Sequence, residues 1–158
     1  MLTLNNQDLA AMSAKAAAAP RLRAHHNFHA ELSDPIQRLA IAMEPDTYVR
    51  PHRHPHTWEL LTVLSGSLEL IELDEAGAVL SRHRLGQGGA RVFEMPAGTW
   101  HSVISLEPGS VVFEVKRGPY LPLTEADLAP WSPEEGDADA AKLLAFLRRA
   151  AVGERFVR

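Results

Sequence analysis

The middle of the chain, residues 36–116, alternates between short apolar segments and clusters of turn-forming residues. The apolar segments are rich in Val, Ile, Leu and aromatic side chains, which favour extended structure. The segments between them, such as SGS, DEAGA, GQGGA, PAGT and EPGS, are typical of turns. About eight short strands at this spacing are typical of a sandwich or a small barrel. The pattern therefore predicts an all-β domain, in which residues 47–52 form one of the strands.

The N-terminal segment has a helical pattern. Residues 6–19 carry apolar side chains at helical spacing, Asn6 can cap the first turn, and Pro20 ends the helix. Residues 21–34 have no clear period, and we expect them to form an extended arm.

A second helix is predicted near the C-terminus. Ser132, Pro133 and Glu135 match a capping box, which predicts a helix over residues 133–150. We see no internal repeat and no low-complexity linker, so we expect one structural domain. Its predicted parts are an N-terminal helix and arm (1–35), a barrel (36–118) and a C-terminal extension (119–158).

Composition restricts what the protein can bind. The 158 residues carry a net charge of −4, which argues against nucleic acid or an anionic membrane as a partner. The chain has no cysteine, so any metal must be held by imidazole, carboxylate or water. No apolar run approaches the roughly 20 residues that cross a bilayer, and the N-terminus lacks the features of a signal peptide. We therefore expect a cytoplasmic protein.

Histidines are concentrated in the segment RPHRHPHTWELLTVLSG, residues 50–66. His52 and His54 alternate along an extended segment and therefore project to the same face. Glu59 follows inside an apolar run, where a carboxylate is costly unless it is paired or bound to a metal. Far downstream, His101 comes directly after a tight turn. Three imidazoles and one carboxylate would bind a divalent transition metal and leave about two octahedral positions open.

Two motifs in this order resemble those of the cupin superfamily. The first, H-x-H-x4-E-x6-G, is matched by His52, His54, Glu59 and Gly66. The second, P-x-G-x-x-H, is matched by Pro96, Gly98 and His101. Two departures from the second motif, at Gly89 and Ser105, leave the ligand set intact. The resemblance implies a single cupin barrel, a double-stranded β-helix or jelly roll, which carries a short N-terminal helix and a C-terminal helix.

The resemblance can be narrowed to the WbuC-type cupin metalloproteins, over about residues 20–150. The segments that carry it are NFH at 27–29, DPIQRLAIAM at 34–43, YVRPHRHPHTWE at 48–59, VVFEVKRGPYLP at 111–122 and APWSPEEGD at 129–137. Members of this group tend to occur among genes for surface polysaccharide synthesis. The resemblance implies one metal ion held by His52, His54, Glu59 and His101. Iron, manganese, nickel, cobalt and zinc all suit these ligands.

Other polar residues are candidates for chemistry. His56, next to the Pro55 turn, is expected at the rim, and it is the substitute ligand if Glu59 points away. Glu114 and His56 are the candidates for proton transfer. The candidate substrate-binding residues are Arg50, Lys116, Trp100 and Arg38.

The remaining polar side chains near the cluster are weaker candidates. Arg53 alternates to the opposite face from the histidine pair. His25 and His26 are expected at the surface. For His29, a surface position and a position over the barrel mouth stay open.

Three functions are compatible with these residues. The first is a mononuclear metalloenzyme, of the isomerase, epimerase, lyase or dioxygenase class, acting on a polar or anionic sugar-like metabolite. The second is a non-catalytic cupin that binds or senses a metabolite or the metal itself. The third is a structural module that forms dimers, which leaves the histidine cluster unexplained. We expect a small-molecule ligand and a homodimer in all cases, with no nucleic-acid partner and no membrane partner.

Overall fold

The computed structural model describes residues 1–157. Within these residues the chain forms eight β-strands, two α-helices and one 3-10 turn. In chain order they are α1 (Asn6–Ala18), β1 (Arg23–Asn27), β2 (Ile36–Met43), β3 (Glu59–Ser65), β4 (Ser67–Leu73), β5 (Val79–Gly86), β6 (Val92–Met95), β7 (Trp100–Ser105), β8 (Ser110–Arg117), the 3-10 turn (Glu125–Asp127) and α2 (Ala140–Arg149). None of the helices in this described range is long and apolar enough to cross a membrane.

The strands form two antiparallel sheets. The larger sheet has the order β1-β2-β8-β3-β6, and the smaller sheet has the order β5-β4-β7. Leucines and methionines of both sheets, among them Leu61, Leu68, Leu70 and Met95, form a shared buried cluster. The predicted all-β fold with a helix near each end is confirmed.

The turn between β3 and β4 explains the glycine of the first histidine motif. Gly66 has a φ of +70°, a left-handed conformation that L side chains rarely adopt. A Cβ atom at this position would lie 2.8 Å from the Cα of Ser110. Glycine is therefore required both by the backbone conformation and by the close approach of β8.

Helix α1 begins at Asn6, the first residue of the predicted helix, but its cap differs from the predicted one. The side-chain oxygen of Asn5, rather than Asn6, accepts hydrogen bonds from the backbone N–H groups of Gln7 (2.8 Å) and Asp8 (3.2 Å). The Asp8 carboxylate accepts in return from the Asn5 N–H at 2.8 Å, which completes a capping box. The predicted cap at Asn6 was therefore wrong, because the acidic partner that the box needs lies three residues after Asn5.

We expect Asn5→Ala to lower the free energy of unfolding by about 1 kcal/mol, because the first turn loses its acceptor. Asn6→Ala is the matched control, since it makes the same change one residue away and places alanine, a good helix former, inside the helix. Urea unfolding of both variants measures the difference. An equal loss in the two variants would contradict the assigned cap.

The segment expected to be an extended arm contains β1. This strand pairs with β2 from Arg23 opposite Met43 to Asn27 opposite Leu39 and forms one edge of the larger sheet. In contrast, residues 47–52 were predicted to form a strand, but no strand covers them within the described part of the chain. There, His52 forms single bridges with His101 and Leu128. Pro51 in this segment lacks the N–H group that a ladder needs.

The C-terminal helix is shorter than predicted. It begins at Ala140 instead of residue 133, and Ser132 does not cap it. The Ser132 hydroxyl donates instead to the backbone oxygen of Ala129 at 2.6 Å and accepts from Arg50 Nε at 3.0 Å. Tertiary partners therefore replace the local capping interaction on which the sequence prediction relied.

Glu135, the glutamate of the predicted capping box, also has tertiary partners. Glu135 accepts hydrogen bonds from Arg21 Nε at 2.6 Å and from an Arg23 guanidinium nitrogen at 3.2 Å. Gly136, which follows, has a φ of +93°, so a helix could not continue through it. These contacts attach the C-terminal segment to the chain around β1.

Helix α2 covers the smaller sheet. Leu143, Leu144 and Leu147 are buried against a cluster that contains Ile71 and Ile104. The exposed carbonyl groups at the end of α2 are satisfied by Arg82 of β5, which donates to the oxygens of Leu147 (2.8 Å) and Ala150 (2.7 Å). The helix is therefore fixed to the sheet by both apolar and polar contacts.

Candidate metal centre

Three histidines from two distant parts of the chain meet at one end of the barrel. The backbones of His52 and His101 exchange two hydrogen bonds, of 3.0 Å and 2.9 Å. One ring nitrogen each of His52, His54 and His101 lies within 4.8 Å of the others. His101 is buried, and His52 and His54 are partly buried. Convergent imidazole nitrogens at this spacing fit the coordination sphere of one transition-metal ion.

Backbone carbonyl groups orient two of the rings. The Nδ1 atoms of His52 and His101 lie 2.8 Å from the oxygen of Arg50 and 3.0 Å from the oxygen of Thr99, respectively. A carbonyl oxygen only accepts hydrogen bonds, so each Nδ1 carries the proton and each Nε2 keeps a free lone pair. This is the usual arrangement for histidines that bind a metal through Nε2.

The electrostatic environment keeps the rings of His52 and His54 neutral. Burial, followed by the neighbouring rings of His101 and His54, lowers the pKa of His52 well below its usual value. Burial likewise lowers the pKa of His54 to about 4. At neutral pH both rings are therefore unprotonated, which is the form that binds a metal.

Glu59 lies directly beside the three rings. One of its oxygens is 3.1 Å from His54 Nε2 and the other is 3.4 Å from His101 Nε2. Burial alone would raise the pKa of this carboxyl. The adjacent His101 ring and the charge of Lys116 outweigh that effect and hold its pKa well below the usual value. The carboxylate is therefore charged and within reach of an ion bound to the rings.

Lys116 lies between two buried carboxylates. Its Nζ is 2.8 Å from Glu59 Oε1 and 2.8 Å from Glu114 Oε1. The sheet register accounts for this, because Lys116 is paired with Glu59 across β3 and β8, and Glu114 is two residues away on the same face of β8. Burial, then the charge of Glu59, raises the pKa of Glu114. Burial lowers the pKa of Lys116, but the two carboxylates raise it by more.

A cavity of about 840 Å³ opens onto these groups. Much of its wall is apolar and comes from the inward faces of β2, β3 and β8, including Leu39, Ile41, Leu61 and Val112. A cavity of this size fits a small metabolite. The polar residues among its lining include the three histidines, Glu59, Glu114, Lys116 and Arg50.

The structure leaves three of the predicted site residues outside the cavity lining. His56 is exposed, and its ring lies 6.3 Å from that of His54. Trp100 stacks under the guanidinium of Arg53, 4.5 Å from its ring centre, and packs against the α2 cluster. Arg38 has a side chain 45% exposed and pairs with Asp34 at 3.6 Å. Of the predicted polar groups, Arg50, Lys116 and Glu114 are the ones brought to the cavity.

Two histidines of the N-terminal arm also reach the cavity. His25 is exposed, as the sequence predicted, and also lines the cavity together with His29. His29 is buried, with only 6% of its surface exposed, and it lies at the cavity rather than on the outer surface. The alternation of polar residues at positions 25, 27 and 29 was the available signal, but the strand that carries it was not recognised in the sequence.

Comparisons with known proteins place this geometry in context. A family model described as "Domain of unknown function (DUF6016)" matches residues 4–85. Among curated proteins, no relative matches the sequence.

Several solved structures resemble the protein. KdgF from Halomonas sp. is 19% identical, with a TM-score of 0.51 over 66% of this chain and 85% of that one. A conserved protein of unknown function from Streptococcus pyogenes is 16% identical, with a TM-score of 0.50 over 65% and 80%. The DMSP lyase DddQ from Ruegeria pomeroyi is 20% identical, with a TM-score of 0.52 over 72% and 54%. The likeness to these structures confirms the predicted cupin fold.

Proposed function

The chain belongs to the family described as Domain of unknown function (DUF6016), and we propose that it is a divalent-metal-binding cupin enzyme that acts on a small polar or anionic metabolite. The observation that carries the proposal is the convergence of His52, His54 and His101 at the end of a cavity, with ring nitrogens within 4.8 Å of one another. The oriented Nδ1–H groups of His52 and His101, the neutral rings of His52 and His54, and the adjacent Glu59 carboxylate support it. Iron, manganese, nickel, cobalt and zinc remain the candidate ions.

The residues present suit such an ion. The three imidazoles would hold it through their free nitrogens, and Glu59 would be its fourth protein ligand. An ion in this position supplies Lewis acidity, which polarises an oxygen atom of the substrate. Lys116 holds Glu59 by a hydrogen bond of 2.8 Å and fixes the direction of its carboxylate. Glu59 is therefore ionised and held in a fixed position beside the rings.

Substrate binding and proton transfer are assigned to the residues that line the cavity. Glu114 would accept or donate a proton at a carboxylate oxygen, and Arg50 would bind an acidic group. His56 would act at the rim because it lies outside the lining. The apolar walls together with these polar groups fit a sugar acid or a sugar phosphate. Isomerase, epimerase, lyase and dioxygenase chemistry all remain candidates, and among the similar structures DddQ is a DMSP lyase.

The proposal extends to the wider setting of the protein. We place it with the WbuC-type cupins, on the segments that resemble them, and connect it with surface polysaccharide synthesis. We further propose a cytoplasmic homodimer. A non-catalytic role in binding a metabolite is the second candidate, and it is favoured by the engagement of both Glu114 and Glu59 with Lys116, which leaves these carboxylates less free for proton transfer.

Metal content tests the proposed site. Untagged protein purified without added metal is expected to contain about one divalent ion per chain, measured by elemental analysis. Replacing His54 and His101 together with alanine is expected to lower the affinity for the ion by more than about 100-fold, because two ligands are lost. His56→Ala is the matched control and should keep the ion. Wild-type protein that contains no ion and takes up none when metal is added would overturn the proposal.

A further inference from the structure

Strand β1 presents a row of polar side chains to the cavity. His25 and Asn27 alternate along the strand, and His29 continues the alternation just beyond it, so that all three project to one side. All three line the cavity. We call these three residues the β1 wall. It lies outside the two histidine motifs, and the proposed metal centre uses none of its members.

The β1 wall lies across the cavity from the metal centre. Asn27 is paired with Leu39 of β2, which is paired with Glu114 of β8, which is paired with Leu61 of β3. The backbones of β1 and β3 are therefore three strand spacings apart, or about 14 Å. The inward side chains of β2 between them include Leu39 and Ile41. A ligand that touches both the metal centre and the β1 wall must be larger than a two- or three-carbon acid. It must also pass over the aliphatic side chains of β2 and the Glu114–Lys116 pair of β8.

His29 carries a buried hydrogen-bonding atom without a partner. Its Nδ1 lies 3.0 Å from both the backbone nitrogen and the backbone oxygen of Arg38. The Arg38 N–H can only donate, and the Arg38 oxygen already accepts from the N–H of Phe28 at 2.7 Å, so we assign Nδ1 as the acceptor. With Nδ1 as the acceptor, the proton lies on Nε2. Nε2 is buried and has no hydrogen-bond partner within the described chain. An N–H group in this state is costly unless an acceptor oxygen reaches it.

Two members of the β1 wall, His25 and Asn27, are neutral. Burial lowers the pKa of His25, and the nearby positive charges of Arg21 and Lys116 lower it further, so the ring is uncharged at pH 7. Asn27 is a neutral amide with both donor and acceptor atoms. Glu135 accepts hydrogen bonds from both Arg21 and Arg23 and so offsets part of the positive charge next to the strand. Neutral groups that donate and accept hydrogen bonds recognise hydroxyl groups rather than a second acidic group.

We infer that the β1 wall recognises the hydroxyl groups of a polyhydroxylated acid, whose acidic group lies at the metal centre. This inference rests on the proposed function and narrows its substrate class to a sugar acid. His29 supplies a donor to one hydroxyl oxygen. Asn27 and His25 supply mixed donors and acceptors to others, while the aliphatic side chains of β2 contact the carbon skeleton.

A pair of probes that differ only in their hydroxyl groups tests the inference. Calorimetric titrations of zinc-loaded protein would compare D-galacturonate with cyclohexanecarboxylate, a six-membered-ring acid without hydroxyl groups. Wild-type protein is expected to bind D-galacturonate about tenfold more tightly or better. Asn27→Leu and His29→Phe should remove most of this preference and leave the affinity for cyclohexanecarboxylate unchanged. In the wild type, the NMR signal of the His29 Nε2–H should shift with D-galacturonate only.

His26→Phe is the matched control. His26 belongs to the same strand but points away from the cavity, and its ring lies edge-on against Phe28 at 5.3 Å. This variant should keep the wild-type preference. Asn27→Leu changes a side chain that is exposed, so its result stands even if His29→Phe disturbs folding.

The zinc content of each sample separates the two proposals. A preference that persists in both Asn27→Leu and His29→Phe would overturn the assignment of the β1 wall. Normal zinc content with no binding of either probe would also overturn it and leave the metal centre in place. Protein that holds no zinc could still prefer D-galacturonate and lose that preference in the β1 variants. This result would support the role of the β1 wall and overturn the proposed metal centre.

Discussion

Lys116→Met is expected to lower the free energy of unfolding of the metal-free protein by about 3–5 kcal/mol, because it leaves two buried carboxylates without their counter-ion. Lys116 lies 2.8 Å from both Glu59 and Glu114. The side chains of these glutamates are only 5% and 11% exposed, so little water can reach them in place of the ammonium group. Methionine keeps most of the length of the lysine stem, so the change removes charge rather than volume.

Urea unfolding in the presence of a chelator measures this loss without interference from a bound ion. Lys142→Met is the control, since Lys142 forms an ion pair with Asp139 at 2.7 Å but has a side chain 74% exposed. Exposed pairs of this kind contribute little to stability, and we expect no measurable change. A loss for Lys116→Met smaller than about 1 kcal/mol would contradict the role of Lys116 as the counter-ion of both carboxylates.

Leu147→Ala is expected to lower the free energy of unfolding by about 2–5 kcal/mol, because it opens a cavity beneath α2. Leu147 is 0% exposed and lies in the cluster that joins α2 to the smaller sheet. The helix would remain attached through Arg82, which bonds the backbone oxygen of Leu147 and not its side chain. The effect therefore reports the apolar contact alone.

Leu80→Ala is the matched control for this substitution. Leu80 lies on β5 and is 49% exposed, so the same truncation should change the free energy of unfolding by less than about 0.5 kcal/mol. Urea unfolding should shift the midpoint for Leu147→Ala while the slope stays the same, as expected if the native state loses only a packing contact. Similar midpoints for the two variants would mean that α2 contributes little to the stability of the domain.

Much of the fold could be predicted from the sequence because strand patterns are local. The segment IQRLAIAM corresponds to β2, with the same bounds that the sequence indicated. The histidine spacing also carried its information locally, since His52 and His54 needed only an extended backbone to project together. The meeting with His101 was predicted from the resemblance to cupins, and the structure brings the three rings within 4.8 Å.

Errors arose where tertiary partners competed with local interactions. Ser132 and Glu135 matched a helix start, but Arg50 and Arg21 from distant segments bind them instead. Local sequence patterns cannot reveal this competition. Arg21 is more than a hundred residues from Glu135 along the chain, and Arg50 is about eighty residues from Ser132. The cap of α1 was misplaced by a single residue for a different reason, since Asn5 and Asn6 are chemically identical and only the position of Asp8 distinguishes them.

The sequence by itself determined the chemistry available to this protein: a cysteine-free β domain whose histidines, together with Glu59, can serve as metal ligands. Residue type and short-range spacing set these properties, and both are local. Only the tertiary structure decided that Lys116 lies between Glu59 and Glu114, and that β1 brings His25, Asn27 and His29 to the cavity wall. Strand register and order across the sheet decide which side chains become neighbours, and these arise from long-range pairing that no short segment of the chain specifies.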